Sequence, residues 1–529
     1  MDQTGTLKNL KILVVGGAGY VGSAACAYLI DQGCKVWVLD DLSEGHRELL
    51  LGEGFTHARA GDRSKVLPLL KEGKFDCVMH FAAKALVSES VKYPARYFEN
   101  NVDQTRSLLE MMIETGTRNF IFSSTCATFG DPGETPMNEE CPQNPINPYG
   151  QSKLQAEGLL RDFAARKGLR AIALRYFNAA GAEPGCRVGE WHDPETHLIP
   201  RIFRAAHKKG AVEIFGTDYA TPDGTCLRDY VHISDLAAAH TAAMSRILGR
   251  GPESPGSFEA FNLGSENGYS VRDVIRAFEE VSGQKIAVIE RPRRAGDPPK
   301  LVAQSALARL ELGFKITGTQ TGDPTAPLKH ILSSAWAWET KRRSTMKRAL
   351  FMDRDGTVNV DPGYLNDPKQ VELIPGVPAA LAKLRKLGFA LVVISNQSGV
   401  GRGLIREEDV PAINARFEAL LGGHDVSIDR YAYCYHMPAD ACDCRKPNPT
   451  LILKSARELG IDLTRSYMVG DKPCDLEAGR AADCGGVALV RTGYGRETEA
   501  ALKPGDTDFI GDSLPQVVEW ILARENANS

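Results

Sequence analysis

The sequence lacks any apolar run of the roughly twenty residues that a membrane-spanning helix needs. Its first residues, MDQTGTLKNLKILVVGG, enter a strand pattern without the apolar core of a signal peptide. A formal net charge of −4 gives no electrostatic footprint for nucleic acid or an anionic membrane. Internal repeats and low-complexity tracts are also missing. We therefore expect a cytoplasmic protein without nucleic-acid or membrane partners.

A single hydrophobic core is excluded by length, because 529 residues exceed what one core normally holds. Apolar runs rich in β-branched residues alternate with helical periodicity from residue 11 and again from residue 347. This pattern is typical of parallel α/β sheets. The sequence predicts an α/β protein with domains at 1–340 and 347–529, joined by a solvated basic linker at 341–346.

Glycine is concentrated where the first strand turns into a helix. Gly16, Gly19 and Gly22 let the backbone turn tightly and approach a pyrophosphate at the helix N-terminus. Asp40 ends the next predicted strand, about twenty residues further on, where a carboxylate binds ribose hydroxyls. That carboxylate would repel the extra phosphate of NADP. The pattern predicts a Rossmann fold that binds NAD.

A tyrosine and a lysine stand four residues apart in NPYGQSK. Tyr149 and Lys153 therefore share one face of a predicted helix. Tyrosine is a poor base at neutral pH, but a nearby ammonium group lowers its pKa and permits proton transfer at an alcohol. Either Thr125 or Ser124, at the end of a predicted strand, supplies a hydroxyl that orients the substrate alcohol.

The stretches GGAGYVG, FSSTCATFG, NPYGQSK and TPDGTCLRDYVHISDLA resemble the extended short-chain dehydrogenases, and specifically the UDP-glucose 4-epimerases. The resemblance runs through nearly all of residues 8–340, and implies a substrate-capping lobe after the Rossmann fold. It also implies a tightly held NAD, with Tyr149 as the base and Thr125 on the sugar 4-hydroxyl. Dimerisation through this domain is a further family expectation.

The resemblance also assigns the other binding residues. On the NAD side it assigns Asp62, Asn101, Lys153 and Phe177. On the nucleotide-sugar side it assigns Asn178, Arg228, Arg294 and Asp297.

Three positions depart from the best-known epimerases. A lysine after HFA is displaced to Lys84, an asparagine before LIP is His197, and Leu301 stands near a bulky tyrosine of some members. The sugar therefore stays open among hexose, heptose, pentose and N-acetylhexosamine. Dehydratases place an Asp–Glu pair after the threonine, whereas Cys126 and Ala127 follow it here, which favours epimerisation.

Paired aspartates begin the second half of the chain. Asp353 and Asp355 leave a predicted strand on the same side, so one can attack phosphorus while the other transfers protons. Paired carboxylates need a cation such as Mg²⁺, for which Asp471 after a later strand is the third predicted ligand. Asp475 lies behind it.

Two further sequence blocks belong to the same predicted phosphatase site. Ser395 and Asn396, at the end of another strand, are predicted donors to phosphate oxygens. Lys446 supplies a point charge for the phosphoryl group.

Cysteine is sparse in the chain except near residue 440. Cys434, His436, Cys442 and Cys444 supply four ligands suited to a tetrahedral structural Zn²⁺ site. In a reducing compartment such a cluster favours metal over a disulfide. Incidental thiols or a redox pair are the alternatives.

DRDGTVNVDPGYLNDP, SNQSGVGRG and CYHMPADACDCRKP resemble the haloacid dehalogenase superfamily, over residues 347 to about 525. They look most like the D-glycero-D-manno-heptose-1,7-bisphosphate 7-phosphatases, and histidinol-phosphate phosphatases are the runner-up. On the heptose interpretation Arg445 binds the second phosphate of the substrate. We expect a bifunctional enzyme acting on nucleotide sugars and sugar phosphates. The alternative is that one domain is retained only for binding.

Overall fold

The computed structural model describes residues 7–528 except 132, 134–135, 193–194, 209, 295–296 and 320–322. Its residues form two compact units, Met1–Lys341 and Arg342–Ser529. No helix in the described part of the chain is long and apolar enough to span a membrane.

The first unit contains thirteen strands in its described residues. They are β1 Lys11–Val15, β2 Lys35–Asp40, β3 Gly54–His57, β4 Cys77–His80, β5 Asn119–Thr125, β6 Arg170–Tyr176, β7 Asn178–Ala180, β8 Ala211–Phe215, β9 Leu227–His232, β10 Ser257–Leu263, β11 Gly268–Ser270, β12 Ala287–Arg291 and β13 Lys300–Leu301. Its helices are α1 Tyr20–Asp31, α2 Arg63–Gly73, α3 Val87–Lys92, α4 Pro94–Phe98, α5 Gln104–Thr115, α6 Pro148–Lys167, α7 Leu198–Lys208, α8 Ile233–Leu248, α9 Val271–Ser282, α10 Ala306–Leu312 and α11 Ala326–Thr345.

Seven of these strands form one parallel sheet in the order β10-β6-β5-β4-β1-β2-β3. The interior strands are almost wholly apolar and buried because helices cover both faces. The chain reverses direction across the sheet between β1 and β4. Ligands of doubly wound sheets bind in the crevice at such a point, beyond the carboxyl ends of the strands.

The remaining strands of the first unit form two small sheets, β11-β9-β13, with β7 paired to β9, and β12-β8. A separate apolar cluster, centred on Phe203, Phe278 and Leu332, packs α7, α9 and α11 with these strands. This small lobe corresponds to the predicted substrate-capping region.

The second unit is built on six strands and seven helices among its described residues. The strands are β14 Arg348–Met352, β15 Phe389–Asn396, β16 Arg430–Cys434, β17 Tyr467–Gly470, β18 Gly486–Val490 and β19 Phe509–Gly511. The helices are α12 Val377–Lys386, α13 Ser398–Gly401, α14 Val410–Gly422, α15 Thr450–Leu459, α16 Pro473–Ala481, α17 Gly495–Ala501 and α18 Leu514–Asn528.

The second sheet is parallel, in the order β16-β15-β14-β17-β18-β19. Its chain reversal falls between β14 and β17, so the residues that follow these two strands meet at one crevice. Those residues are Asp353 and Asp471.

The predicted linker at 341–346 contains the division between the two units, and three of its six residues are exposed to solvent. Helix α11 continues to Thr345, and Arg343 is buried with its guanidinium 2.9 Å from the carboxylate of Asp462. Lysine and arginine are good helix formers, so a basic stretch is compatible with helix as well as with a hinge.

Candidate active sites

The turn after β1 forms the floor of a cleft in the first unit. Gly16 has φ of +84°, and a Cβ there would lie 2.4 Å from the backbone nitrogen of Ala82. A Cβ on Gly22 would lie 2.1 Å from the carbonyl oxygen of Gly16. Gly19 caps the N-terminus of α1 without a side chain. Only glycine therefore permits this turn and the close packing of α1, as a pyrophosphate-binding turn requires.

The cleft itself measures about 630 Å³ and is open to solvent. Gly16, Gly19 and Asp40 all line it. The Asp40 carboxylate accepts hydrogen bonds from the backbone N–H groups of Ala18, at 3.0 Å, and Leu42, at 2.8 Å. A glycine turn, a helix N-terminus and a carboxylate at the next strand end therefore share one cavity. This donor set fits NAD.

Lys84 also lines this cleft and is held by a buried amide. Asn101 accepts a hydrogen bond from Lys84 N at 2.9 Å and donates to Lys84 O at 3.0 Å. The ammonium of Lys84 lies 2.8 Å from Glu44. Asn101 thus positions the loop after β4, while its neighbour Asn100 lines the cleft.

Two residues expected on the NAD side have other contacts. Asp62 caps α2 by accepting a hydrogen bond from Ser64 N at 3.1 Å, and it is not among the residues that line the cleft. Phe177 is buried in a small apolar cluster with Phe129 and Met137. Asp62 therefore caps a helix and Phe177 packs in an apolar cluster. The sequence match did not reveal either role.

The tyrosine, threonine and lysine of the predicted catalytic set lie together at the carboxyl end of β5 and the start of α6. Burial raises the pKa of Tyr149, and a hydrogen bond with Thr125 acts in the opposite direction. Lys153 is buried, and its ammonium donates to the carbonyl oxygen of Ser123 at 2.8 Å. Burial lowers the pKa of Lys153 to about 7, against the attraction of Glu157.

The choice between Thr125 and Ser124 is resolved by the strand. The hydroxyl of Ser124 donates to Glu157 at 2.7 Å, and Glu157 is held in a buried ion pair with Arg175 at 2.7 Å. Successive residues of a strand point to opposite faces, so Ser124 faces away from Tyr149 while Thr125 faces it. The assignment of Ser124 as a catalytic residue is therefore wrong.

The residues expected to hold the nucleotide sugar come together in the small lobe. Arg228 donates to Pro298 O at 2.9 Å and lies 3.7 Å from the carboxylate of Asp297. The guanidinium of Arg294 stacks 3.8 Å above the ring of Phe215. Burial raises the pKa of the Cys226 thiol, and Arg228, Asp297 and Arg294 all act on it, so their charges converge there.

The sugar end of this region includes two further positions. Leu301 pairs with Arg228 across β13 and β9, and it packs against a small buried cluster that contains Phe129 and Phe177. Asn178 begins β7 and pairs with Tyr230. Leu301 thus lies next to one of the residues expected to hold the nucleotide sugar.

The second site is organised around a buried lysine. Lys446 Nζ lies 2.7 Å from Asp353 Oδ1 and 2.6 Å from Asp475 Oδ1, and it donates to Ile394 O at 2.6 Å. Burial acts to lower the pKa of Lys446, but the two carboxylates outweigh it and raise the pKa above its ordinary value. Lys446 is therefore a fixed positive charge.

Asp471 is the residue that most needs a cation. Burial raises its pKa to about 7, with a further contribution from Asp353. Its Oδ2 accepts from Tyr494 N at 2.8 Å, while its buried Oδ1 has no hydrogen-bond partner. A Cβ on Gly356 or Gly493 would lie within 2.5 Å of Oδ2, so both glycines are needed to fit this carboxylate. The orphaned oxygen faces a site suited to Mg²⁺.

The predicted magnesium ligand set needs one correction. The carboxylates that lie within 4.8 Å of one another belong to Asp353, Asp471 and Asp475. The Asp355 carboxylate instead accepts hydrogen bonds from Arg354, Gln397 and Asn359, at distances between 2.8 and 3.1 Å. Burial acts to raise the pKa of Asp355, but Arg354 and the hydrogen bonds lower it below its usual value.

Ser395 and Asn396 follow the same strand end but differ in their contacts. Ser395 accepts a hydrogen bond from Gln397 at 3.1 Å and is buried beside the site. Asn396 donates to Lys446 O at 3.1 Å and accepts from Lys446 N at 3.0 Å. The amide of Asn396 therefore positions Lys446, a role that the sequence alone did not indicate.

The three cysteines and the histidine after β16 converge at one point. All four ligand atoms lie within 4.8 Å of one another, and Cys442 Sγ is 3.6 Å from both Cys434 Sγ and Cys444 Sγ. A disulfide needs sulfur atoms about 2 Å apart, so these are free thiols. Ligands about 2.3 Å from a tetrahedral Zn²⁺ stand roughly 3.7 Å apart, so the group fits zinc. Arg445, just after it, donates to His436 O at 3.2 Å.

Comparison with known proteins shows what each unit resembles. Residues 12–264 match the model of the NAD-dependent epimerase/dehydratase family. A UDP-glucose 4-epimerase of Rhizobium meliloti is 43% identical over 64% of this chain and 99% of its own length. One from Halalkalibacterium halodurans is 42% identical over 62% of this chain and 95% of its own length. The chain belongs to the NAD-dependent epimerase/dehydratase family.

Solved structures of this family extend the agreement to the fold. The UDP-glucose 4-epimerase from Brucella ovis in complex with NAD is 44% identical, with a TM-score of 0.58 over 62% of this chain and 98% of that one. The epimerase from Stenotrophomonas maltophila with bound NAD and formylated UDP-arabinopyranose is 34% identical. Its TM-score is 0.59, over 63% of this chain and 98% of that one. These epimerases match only the first unit.

The second unit has a separate similarity. Residues 443–517 match the family model described as HAD-hydrolase-like. The match begins inside the cysteine cluster and includes Lys446, Asp471 and Asp475. The chain therefore joins an epimerase-family unit to a HAD-like unit.

Proposed function

We propose that the first unit is an NAD-dependent nucleotide-sugar 4-epimerase of the UDP-glucose type. The observation that carries the proposal is the side-chain hydrogen bond between Thr125 and Tyr149, with the buried Lys153 one turn further along α6. A hydroxyl that orients an alcohol, a phenol that takes its proton and a cation that stabilises the phenolate are the parts such a reaction needs. The named relatives and their NAD complexes support the same assignment.

In the proposed mechanism Thr125 holds the 4-hydroxyl of the sugar, and Tyr149 removes its proton. Lys153 stabilises the resulting phenolate. NAD bound in the cleft would supply the reversible hydride chemistry that inversion at C4 needs. Gly16, Gly19 and Asp40 would hold the cofactor, since they line the cleft. Tyr149 then gives its proton back to the inverted alcohol.

The sugar range follows from the position of Leu301. A leucine paired with Arg228, where some epimerases carry tyrosine, leaves room for a substituent larger than hydroxyl. We therefore propose that the enzyme accepts nucleotide sugars bulkier than UDP-glucose, including heptose or N-acetylhexosamine forms.

The test is product analysis with UDP-galactose, UDP-N-acetylglucosamine and a panel of UDP- and GDP-sugars. Inversion at C4 without net NADH is expected. Turnover only with accumulating NADH would mean that the unit is a dehydrogenase instead.

We propose that the second unit is a Mg²⁺-dependent phosphatase that uses Asp353 as its nucleophile. The observation that carries this proposal is the orphaned Oδ1 of buried Asp471 beside Asp353, with Lys446 paired to Asp353. Asp353 and Asp471 would hold the Mg²⁺, which when bound offsets the charge between carboxylate and phosphate.

In this proposal Oδ2 of Asp353 attacks phosphorus, the P–O bond to the sugar breaks, and an aspartyl phosphate forms. Lys446 holds Asp353 in place through their ion pair, and its charge faces the transferring phosphoryl group. Asp355 in its protonated form gives its proton to the leaving alkoxide, and its contacts favour the carboxylate that remains. That carboxylate then takes a proton from the water that attacks phosphorus, the bond between Asp353 and phosphorus breaks, phosphate leaves, and Asp355 is protonated again.

The cysteine cluster is proposed to bind structural zinc. Four protein ligands leave no open position for chemistry, so the ion would fix the segment that carries Arg445 and Lys446. Zinc removal is expected to lower phosphatase activity by displacing Lys446. An enzyme indifferent to chelation would contradict this role.

The proposed phosphatase substrate is D-glycero-D-manno-heptose 1,7-bisphosphate, with cleavage at the 7-phosphate and Arg445 on the second phosphate. Histidinol phosphate is the alternative, because the cysteine loop and CRKP are common to both groups. A phosphate-release panel with these two compounds and fructose 1,6-bisphosphate separates them. Preference for histidinol phosphate would overturn the heptose assignment.

A further inference from the structure

A second cluster of metal-ligating side chains lies in the first unit, and it shares no residue with the sites described above. Glu190, His192, Glu195 and His197 each offer one ligand atom, and the four atoms lie within 4.8 Å of one another. All four residues precede α7. Of these four residues, only His197 is a position where the chain departs from the best-known epimerases, which carry asparagine there.

The two carboxylates of this cluster are unusually enclosed for charged groups. Their side chains are 8% and 6% exposed in Glu190 and Glu195. Within the described residues neither pairs with a lysine or an arginine, and both ion-pair only with the two histidines. Burying two carboxylates side by side is costly unless a cation joins them.

The two imidazoles each face both carboxylates through the same ring atom, Nδ1. His197 Nδ1 is 3.0 Å from Glu190 and 3.2 Å from Glu195, and His192 Nδ1 is 3.4 and 3.7 Å from the same pair. A single N–H donates a strong, straight hydrogen bond to only one oxygen at a time. His192 Nδ1 is in fact buried without a hydrogen bond in the described structure.

The separations agree with one ion at the centre. Nitrogen and oxygen ligands stand about 2.0–2.1 Å from a tetrahedral Zn²⁺, which places neighbouring ligands roughly 3.3 Å apart. The four nitrogen–oxygen separations scatter around that value. Two imidazole nitrogens and two carboxylate oxygens are also a ligand set that first-row divalent metals accept.

We propose that Glu190, His192, Glu195 and His197 form a second metal site, which binds a divalent first-row transition-metal ion such as Zn²⁺. Four protein ligands close the coordination sphere, so the site is structural. The residues it would fix contact the dinucleotide-binding side of the unit. Trp191 stacks on His46 at 3.9 Å, and the His192 ring lies edge-on to Tyr20 at 6.1 Å.

The test is zinc content of the full-length protein after chelation and equilibrium dialysis against Zn²⁺ in a Mg²⁺-containing buffer. H192Q/H197Q should bind one equivalent fewer per chain than wild type. C442S/C444S should keep the zinc ion that H192Q/H197Q loses, because the ligands of that ion are histidines and glutamates rather than cysteines. H424Q, a change at an exposed histidine outside both clusters, is the matched control and should bind as wild type does.

A second readout guards against misfolding of the histidine variant. In C442S/C444S, Zn²⁺ should raise the melting temperature of the first unit, and E195Q, nearly isosteric, should reduce that shift. Equal zinc content in wild type and H192Q/H197Q, or a melting temperature of C442S/C444S that zinc leaves unchanged, would overturn the proposal. In that case the cluster is only a set of histidine–glutamate ion pairs.

Discussion

Each unit contains a buried lysine at its proposed active site, but the two lysines differ in their partners. Lys153 donates to a neutral carbonyl, and burial lowers its pKa to about 7. Lys446 lies between two carboxylates, and its pKa is raised. Both lysines are buried, yet their pKa values shift in opposite directions. The presence of a carboxylate next to the ammonium group decides the direction. One lysine is a titratable aid to a base, while the other is a permanent part of a charge network.

The largest expected effect is that of Lys446→Met. Removing the ammonium leaves Asp353 and Asp475 buried side by side, so we expect a loss of about 3–5 kcal/mol in the free energy of unfolding of the second unit. Phosphatase activity should fall at least about 10³-fold. Denaturant unfolding without Mg²⁺ and phosphate release measure the two effects. An unchanged stability would refute the charge-network description.

Lys153→Met should give the opposite balance. Epimerase activity is expected to fall about 10²- to 10⁴-fold, because the phenolate of Tyr149 loses its cation. Stability of the first unit should change by less than about 1 kcal/mol, since Lys153 forms no ion pair within 4 Å among the described residues and gives up one hydrogen bond. Steady-state kinetics and denaturant unfolding check both parts. A destabilisation equal to that of Lys446→Met would remove the contrast.

Buried histidines make the stability of the first unit depend on pH in the acid range. Burial lowers the pKa of His80 to about 3 and that of His240 to about 4. Between these values and 6.5 the unfolded chain binds protons that the folded chain does not, so stability rises with pH there and is lost on acidification. Unfolding of the first unit from pH 7 to pH 5 measures the slope.

The matched variant for that slope is His240→Phe. It should make the pH dependence shallower by about one proton, whereas His57→Gln, at an exposed histidine, should leave it unchanged. A slope that His240→Phe leaves intact would mean that His240 does not contribute.

The smallest effect concerns substrate range. Leu301→Tyr should lower turnover of UDP-N-acetylglucosamine about 10-fold or more, with a smaller change for UDP-galactose, because a ring next to Arg228 narrows the proposed sugar pocket. Leu310→Tyr, at an exposed leucine of α10, is the control. Equal losses for both sugars would contradict a steric role.

Strand ends were the part of the sites that sequence predicted well. Gly16, Asp40, Asp353 and Asp471 follow apolar strands, and parallel strands deliver such residues to one edge. These positions depend only on local pattern and on a general rule of sheet topology.

Side-chain partners were predicted less well because they depend on distant residues. Asp355 accepts a hydrogen bond from Gln397, 42 residues away, and Asn396 holds the backbone of Lys446, 50 residues away. No local pattern signals either contact. Ser124 is different, since strand alternation already indicates that it and Thr125 face opposite sides.

The central claim is that one chain carries two active sites that depend on different residues. Its most direct test is a paired assay of C4 inversion and phosphate release on wild type, Tyr149→Phe and Asp353→Asn. We predict that Tyr149→Phe loses epimerase activity and keeps phosphatase activity, and that Asp353→Asn does the reverse. If either change abolished both activities in a folded protein, the two sites would not be independent. If a variant kept both activities, the residue changed in it would not be catalytic.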